Sequence, residues 1–256
     1  MLIIVERRRK VNQIVLTGMV LAAAPVGEYD RRIVILTKEQ GKISAFAKGS
    51  RRPNSPLVGA VNPFTFAEFT MYEGRSSYTI QSVNVTNYFS ELREDVIGAY
   101  YGFYFLEIAN YYAKEYSDER ELLKLLYQTM RALTNPHIPN QLIRSIFELK
   151  ALTINGQGPQ VFQCVQCGDS TRPAVFSAAK GGLVCNECDG EVRDGMLLDN
   201  STLYTMQYIE SSKVEKLYTF NVKQEVLDKL ARVMERLMKM YVDKEFKSLE
   251  ILETLI

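Results

Sequence analysis

The residues best suited to chemistry in this sequence are its four cysteines, which form two Cys-x-x-Cys pairs. Cys164 and Cys167 make the first pair, Cys185 and Cys188 make the second, and 17 residues separate the two pairs. This spacing is typical of a tetrahedral zinc site, in which four thiolates each lie about 2.3 Å from the ion. The sequence therefore predicts one bound Zn²⁺ per chain.

Disulfide bonds and redox chemistry are the competing interpretations of these thiols. No secretion signal is visible, and disulfides are rare in the reducing cytosol. A redox Cys-x-x-Cys normally occurs once, at a helix start, whereas here the motif is doubled in a segment that contains Gly168 and Gly181-Gly182. Four thiolates leave no coordination position open for a substrate, so we expect a structural zinc.

The charge distribution sets the first third of the chain apart. The 256 residues carry a net charge of only +1, but residues 1–80 contain twelve basic and six acidic side chains. Such a surplus suits a polyanionic partner. The apolar residues 1–5 are too few to span a membrane, and the basic run 7–10 follows them where a signal peptide would have it first. We therefore expect a cytoplasmic protein without a membrane partner.

Five strand-like runs predict a small barrel in this basic part of the chain. Turn signals rich in Gly, Pro, Asn and Ser separate the runs. The runs cover residues 13–22, 32–37, 42–48, 64–72 and 77–86. Five short strands joined mostly by tight turns favour a Greek-key barrel of the OB type. An SH3-like barrel is the alternative.

The third run indicates a binding surface. Alternation places Lys42, Phe46 and Lys48 on one face of the strand and its aliphatic side chains on the other. A ring flanked by cations suits single-stranded nucleic acid, because the ring stacks a base while the lysines neutralise phosphates. The alternative is that Phe46 packs beneath a neighbouring loop or helix and the lysines are only solvated.

Two arginine pairs flank this strand in the sequence. Arg31-Arg32 opens the second run, and Arg51-Arg52 lies on a Pro- and Ser-containing loop after the third. Guanidinium groups bind phosphate oxygens with two parallel hydrogen bonds, but charged loop tips are most often only solvated. Both interpretations stay open at this point.

The rest of the chain predicts helices. Ser90 is placed to cap a first helix, Ser117 a second, and a third covers residues 140–154. Apolar residues at helical spacing follow the cysteines at 197–211 and 222–241.

The predicted fold class is α+β, with an N-terminal five-stranded OB-type β-barrel followed by an α-helical domain that carries an inserted four-cysteine zinc knuckle unit. We expect the barrel domain at residues 12–87 and the helical domain at 88–256. The zinc-binding insertion is expected at 160–195. Residues 1–11 form an extension without an assigned role.

Sequence signatures of catalysis are absent. The chain contains no Gly-x-x-x-x-Gly-Lys-Ser/Thr phosphate loop, no Gly-x-Ser-x-Gly elbow and no His-Glu-x-x-His motif. The only histidine, His137, sits between prolines in a helix-breaking stretch, so a Ser-His or Cys-His pair is not expected. We expect neither an enzymatic activity nor a small-molecule substrate.

Longer stretches carry a family resemblance. They are GEYDRRIV at 27–34, LTKEQGKISAFAKG at 36–49, RRP at 51–53, PFT at 63–65, Tyr72, Gly74-Arg75, Phe176-Ser177, GGLVC at 181–185 and Lys247-Ser248-Leu249. These stretches resemble the RecO family of bacterial recombination mediators and DNA repair proteins, from about residue 12 to the C-terminus.

The resemblance implies an OB-fold that binds single- and double-stranded DNA and anneals complementary strands. It implies a nucleoid-associated protein that acts with RecR and the single-strand-binding protein to let RecA load. The acidic tail of the single-strand-binding protein would be expected in a groove among the middle helices. The expected DNA-binding residues are Phe46 for stacking and, for phosphates, Arg31, Arg32, Lys38, Lys42, Lys48, Arg51, Arg52 and Arg75.

Two other functional classes stay open. One is an RNA-binding OB-fold protein, which parallel titrations with DNA and RNA would distinguish. The other is a protein-interaction adaptor with a structural zinc, for which DNA binding would lack the strong salt dependence of phosphate contacts.

Overall fold

The N-terminal part of the fold is a closed five-stranded barrel. The computed structural model describes residues 12–74, 77–171 and 173–255, so the predicted extension 1–11 and Arg75 lie outside the described residues. The barrel strands are β1 Gln13–Val26, β2 Asp30–Thr37, β3 Gly41–Ala47, β4 Phe66–Glu73 and β5 Tyr78–Asn87. β1 pairs with both β2 and β4, and β3 pairs in parallel with β5, so the order β1-β2-β3-β5-β4 closes on itself. This topology confirms the OB-type barrel.

Alternating side chains build the barrel core. In β3, Ile43 and Ala45 are buried, whereas Ser44 and Phe46 lie half-buried on the outer face. Other core residues include Leu16, Val20, Ile33, Ile35, Phe69 and Met71. Burying each large apolar side chain contributes roughly 1.5–3 kcal/mol. The two-faced strand predicted from the alternation is therefore confirmed.

The described residues also contain six α-helices and a second, two-stranded sheet. The helices are α1 Val96–Tyr112, α2 Arg120–Leu133, α3 Asn140–Ile154, α4 Asn200–Ser211, α5 Gln224–Tyr241 and α6 Lys247–Leu255. The hairpin of β6 Pro173–Ser177 and β7 Gly182–Cys185 lies between α3 and α4 in the chain. The α+β class with a cysteine unit inserted among helices is confirmed. No helix in the described ranges is long and apolar enough to cross a membrane.

The starts of the first two helices differ from the prediction. Ser90 caps no long helix, because Ser90–Arg93 is a 3-10 turn preceded by Phe89 in the left-handed region at φ 48°. Burial of Phe89 and Leu92 holds this turn, and α1 begins only at Val96. The sequence predicted a cap because polar Ser90 precedes an apolar run. It did not show that Phe89 and Leu92, on either side of Ser90, would both be buried.

The second helix also begins later than the position of Ser117 predicts. It starts at Arg120, after the buried Glu119, whose carboxylate accepts a hydrogen bond from the Lys114 amide at 3.0 Å. The last helix, α6, has no counterpart in the sequence prediction. Its nine residues carry too short an apolar pattern to be distinguished from a loop.

The chain divides into two compact units. The first unit consists of the described residues up to Tyr88 together with Ala113–Leu123. The second consists of Phe89–Tyr112 and the described residues from Lys124 onward. Within the first unit, the Lys42 amide donates to the Lys114 carbonyl at 2.9 Å, and that of Tyr116 to the Gln40 carbonyl at 3.1 Å. The Ala113–Leu123 segment thus lies against the β2–β3 turn. The domain boundaries predicted from the sequence stay a prediction.

Gly18 is the position at which β1 is shared between two neighbours. It pairs with Thr37 of β2 and with Ala67 of β4. A Cβ atom at this position would lie 2.2 Å from the carbonyl oxygen of Leu36. Because that oxygen belongs to the backbone, it cannot move aside without breaking the ladder.

We therefore expect Gly18→Ala to lower the free energy of unfolding by about 2 kcal/mol or more, as over-packing does at rigid sites. Urea denaturation followed by circular dichroism measures this change. Gly59→Ala is the matched control, since a Cβ atom at Gly59 meets nothing within 4 Å, and it should shift stability by less than about 0.5 kcal/mol. An unchanged midpoint for Gly18→Ala would contradict this account of the barrel.

Candidate metal centre and nucleic-acid interface

The four cysteine sulfurs converge beside the β6–β7 hairpin. The Sγ atoms of Cys164, Cys167, Cys185 and Cys188 all lie within 4.8 Å of one another. Those of Cys167 and Cys185 are 3.6 Å apart. Four sulfurs bound tetrahedrally at about 2.3 Å from one ion stand about 3.8 Å apart. The cluster, called here the cysteine centre, has the size and chemistry needed to hold a metal ion such as Zn²⁺.

Backbone hydrogen bonds shape both knuckles of the cysteine centre. The Gly168 amide donates to the Cys164 carbonyl at 2.9 Å, and the Cys188 amide donates to the Cys185 carbonyl at 3.0 Å. Gly168 closes the first knuckle at φ 77°, a conformation that strains other residues. A Cβ atom at Gly182 would lie 2.3 Å from the Gln160 carbonyl oxygen. Gly168 is therefore needed for its backbone conformation, and Gly182 for the close approach of the Gln160 backbone.

The thiols of the centre differ in acidity. Burial would raise the pKa of Cys164, but backbone N–H groups of Cys167, Cys185 and Gln166 directed at its sulfur outweigh burial and lower that pKa to about 6. Hydrogen bonding to Cys185, together with burial, raises the pKa of Cys188 to about 12. The Cys164 thiolate therefore forms readily, whereas a cation is needed to displace the proton of Cys188.

Residues around the centre fix the hairpin. The apolar side chains that pack against it include Val165, Val175 and Val192. The Asp194 carboxylate accepts hydrogen bonds from the Ser177 hydroxyl and the Ala179 amide, and its backbone carbonyl accepts one from Arg236 of α5 at 2.8 Å. Burial opposes ionisation of Asp194, but the hydrogen bonds from the Ala179 amide and the Ser177 hydroxyl to its carboxylate lower its pKa. Asp194 has no sequence signature that would have predicted this role.

On the barrel, one outward row of side chains crosses four strands. Arg32 of β2 pairs with Phe46 of β3, and Phe46 pairs with Thr79 of β5. Thr79 in turn pairs with Tyr72 of β4. Arg32 is exposed, both rings are half-buried, and the Arg32 Nε donates to the Ser44 hydroxyl at 2.8 Å. This stacking row, consisting of Arg32, Phe46, Thr79 and Tyr72, places one cation and two rings on a single outer surface.

A group of exposed cations lies where the β1–β2 turn meets the loop after β3. The Arg51 Nη1 donates to the Gly27 carbonyl at 3.2 Å, and the Arg52 guanidinium lies 5.1 Å from the centre of the Tyr29 ring. Lys48 is exposed at the start of the same loop. These contacts hold Arg51 and Arg52 at the end of the barrel where Lys48 lies. We call Lys48, Arg51 and Arg52 the basic rim.

The other predicted cations have different surroundings. Arg31 is half-buried, and its Nη1 donates to the Asn62 side-chain oxygen at 2.9 Å, so it braces the loop after β3. Lys38 is exposed and Lys42 half-buried at the β2–β3 turn. Seven residues of β3 separate that turn from Lys48, a distance of roughly 20 Å at 3.3 Å per residue. The structure therefore gathers only part of the predicted set at one end of the barrel.

Two aromatic residues on the barrel, Tyr72 and Tyr29, were not predicted to take part in binding. Tyr72 could have been found, because burial of Phe69 and Met71 in β4 leaves Tyr72 on the outer face by alternation. Tyr29 could not, since only the folded loops bring Arg52 over its ring. With Tyr72 and Tyr29, the candidate binding surface is larger than the one predicted from the third strand alone.

The fold and the cysteine centre define a class of proteins in which an OB-type barrel precedes a helical unit with an inserted thiolate knuckle. Residues 11–89 match the family described as Recombination protein O N terminal, and residues 93–250 match Recombination protein O C terminal. The chain belongs to the RecO family. This membership supports a role as a recombination mediator in DNA repair.

Similar proteins share one name and match this chain over most of their length. The DNA repair protein RecO of Acetivibrio thermocellus is 32% identical over 246 residues, which cover 95% of this chain and 98% of that protein. The DNA repair protein RecO of Alkaliphilus metalliredigens is 33% identical over 91% of this chain and 96% of its own. That of Listeria monocytogenes is 27% identical over 85% of each.

We expect freshly reduced protein to contain one zinc per chain and Cys185→Ser to lose it. Structural zinc supplies on the order of 10 kcal/mol of local folding free energy, so residues 160–195 should lose amide protection in hydrogen exchange. Elemental analysis and hydrogen exchange measure the two effects. Ser170→Ala, an exposed change in the same segment, should retain the metal. Protein without zinc, or a Cys185→Ser variant that keeps it, would contradict the assignment.

Proposed function

We propose that this protein is a non-enzymatic, DNA-binding recombination mediator. In this proposal it binds single- and double-stranded DNA and anneals complementary strands. With RecR it promotes the loading of RecA onto DNA coated with single-strand-binding protein. The observation that carries the proposal is the stacking row beside the basic rim, in a chain of the RecO family.

The stacking row suits single-stranded DNA for a geometric reason. Phe46 and Tyr72 lie on β3 and β4, with β5 between them, so they are roughly 10 Å apart at about 4.8 Å per strand spacing. Neighbouring bases in a duplex are stacked much more closely than that. Two bases seated on these rings would be held apart from each other, with their pairing edges free. Every base has a π face, so such binding tolerates many sequences.

The basic rim would act on the phosphates. Cationic side chains displace condensed counterions and lower the repulsion between two strands. Arg52 keeps its guanidinium against the Tyr29 ring, which limits the conformational freedom that binding must remove. Annealing would follow when one strand lies on the stacking row while the rim reduces its repulsion from the second. No covalent bond is made or broken.

The proposed zinc would have a structural role in this scheme. Four thiolates fill its coordination sphere, so it would hold the hairpin together and would not contact DNA. RecR, the single-strand-binding protein and, indirectly, RecA are the proposed protein partners. A strand-annealing assay to which RecR and single-strand-binding protein are added one at a time tests this part. Annealing that neither partner alters would contradict the mediator role.

Charge reversal of the basic rim should weaken DNA binding at unchanged stability. We expect Arg51→Glu with Arg52→Glu to lower affinity for both DNA forms by at least about tenfold at low salt. The slope of log affinity against log salt should become shallower by about one unit per lost phosphate contact. Fluorescence anisotropy measures both quantities.

The matched control reverses two exposed lysines of the helical unit, Lys213→Glu with Lys216→Glu, and should leave affinity nearly unchanged. Equal losses in both double variants would mean that only net charge matters. Tighter binding to RNA than to DNA of the same sequence would favour the RNA-binding alternative.

The role of Phe46 is tested by removing and then restoring its ring. Stacking is worth about 1–3 kcal/mol per base, so Phe46→Ala should weaken single-stranded DNA binding by about tenfold and duplex binding much less. Phe46→Tyr keeps the ring and should bind like the original protein. If Phe46→Ala instead lowers the melting temperature and leaves DNA binding intact, Phe46 is a packing residue.

A further inference from the structure

A cleft in the helical unit has no part in the proposed DNA site. Its volume is about 1180 Å³, and its lining comes from α1, α3, α5, α6 and the connection between α5 and α6. Pockets for small ligands typically measure roughly 300–1,000 Å³, so this cleft has room for several residues of a peptide. Its apolar lining includes Met238, Val242, Phe246 and Leu249.

The floor of the cleft is rigid and electrically balanced. Burial raises the pKa of Tyr104 well above its usual value, so its hydroxyl stays protonated and donates to Glu148 at 2.6 Å. Arg144 Nε donates to the same carboxylate oxygen at 2.8 Å, and its guanidinium lies 5.3 Å from the Tyr104 ring centre. Arg144 and Glu148 therefore neutralise each other, and the floor offers no excess charge to a ligand.

The rim of the cleft has a surplus of negative charge. Seven acidic and four basic side chains line the whole cleft. On the α5 side, Glu235 pairs with Lys239 at 2.7 Å. On the opposite side, Glu245, Glu250 and Glu253 are exposed, and among the described residues none of their carboxylates has a hydrogen-bond or ion-pair partner. The same side carries one cation, Lys244, whose ammonium lies 5.7 Å from the centre of the Phe246 ring. The α5 wall is thus balanced, and the other keeps a surplus of negative charge.

We propose that this cleft binds a basic segment of a partner protein, with lysine or arginine side chains set between apolar ones. The apolar side chains would contact the half-buried Met238 and Leu249. The cations would pair with Glu250 and Glu253, which lie three residues apart on α6 and so share one face. An apolar groove with a charged edge is a common receptor for such segments. An acidic tail would meet like charge on this wall.

The test uses full-length protein and a labelled synthetic peptide composed of lysine and leucine. A second peptide, with every lysine replaced by glutamate, serves as the probe for an acidic segment. We expect the lysine peptide to bind and the glutamate peptide to bind at least about tenfold more weakly. Glu250→Gln with Glu253→Gln should weaken the lysine peptide by about fivefold, as the loss of two exposed ion pairs predicts.

The control is Glu94→Gln with Glu225→Gln, two exposed glutamates outside the cleft, which should change affinity by less than about twofold. DNA binding should be the same in all these variants, which separates this proposal from the one for the barrel. Equal or tighter binding of the glutamate peptide overturns the proposal. So does a failure of the lysine peptide to bind, or an equal effect of both double variants.

Discussion

The pairing of β3 with β5 closes the barrel and decides which side chains share its outer surface. Within the described ranges, two residue pairs form this parallel ladder, Ala45 with Tyr78 and Phe46 with Thr79. Without them, β2–β3 and β4–β5 would be joined only through β1, and Phe46 and Tyr72 would lie far apart. Side chains alternate along β3, so placing Phe46 on the outside also places Ser44 and Lys42 there. The stacking row is a consequence of closure.

Burial decides which of the charged residues are available to partners. Lys150 is buried, and its ammonium group donates to the carbonyls of Ile209, Glu210 and Ser212 at 2.7–3.2 Å, at the end of α4. Arg31 and Arg144 are likewise bound within their own units. A buried charge without partners is costly, so these residues must be satisfied internally. The cations of the basic rim and the glutamates of α6 face solvent and escape this requirement.

The cysteine centre supplies part of what stabilises the β6–β7 hairpin, because Phe176, Leu183 and Val184 of the hairpin are also buried. An isolated two-stranded hairpin is marginal in water, and only a few valines pack against the sulfurs in the part of the chain that the structure describes. The proposed zinc would add folding free energy on the side of the hairpin where the four cysteines lie. The centre thus serves the segment between α3 and α4, while apolar packing stabilises the barrel and the helices.

The sequence by itself determined the features that depend on local spacing. The two Cys-x-x-Cys pairs indicated a four-sulfur cluster, alternation indicated the faces of β3, and apolar periodicity located α3 and α5. Tertiary structure alone decided that Lys42 lies beside the Ala113–Leu123 segment, that Arg31 braces a loop, and that Tyr72 is level with Phe46. It also decided that three glutamates line a cleft without partners among the residues the structure describes. Periodicity depends on neighbours in the chain, whereas burial and pairing depend on residues that meet only after folding.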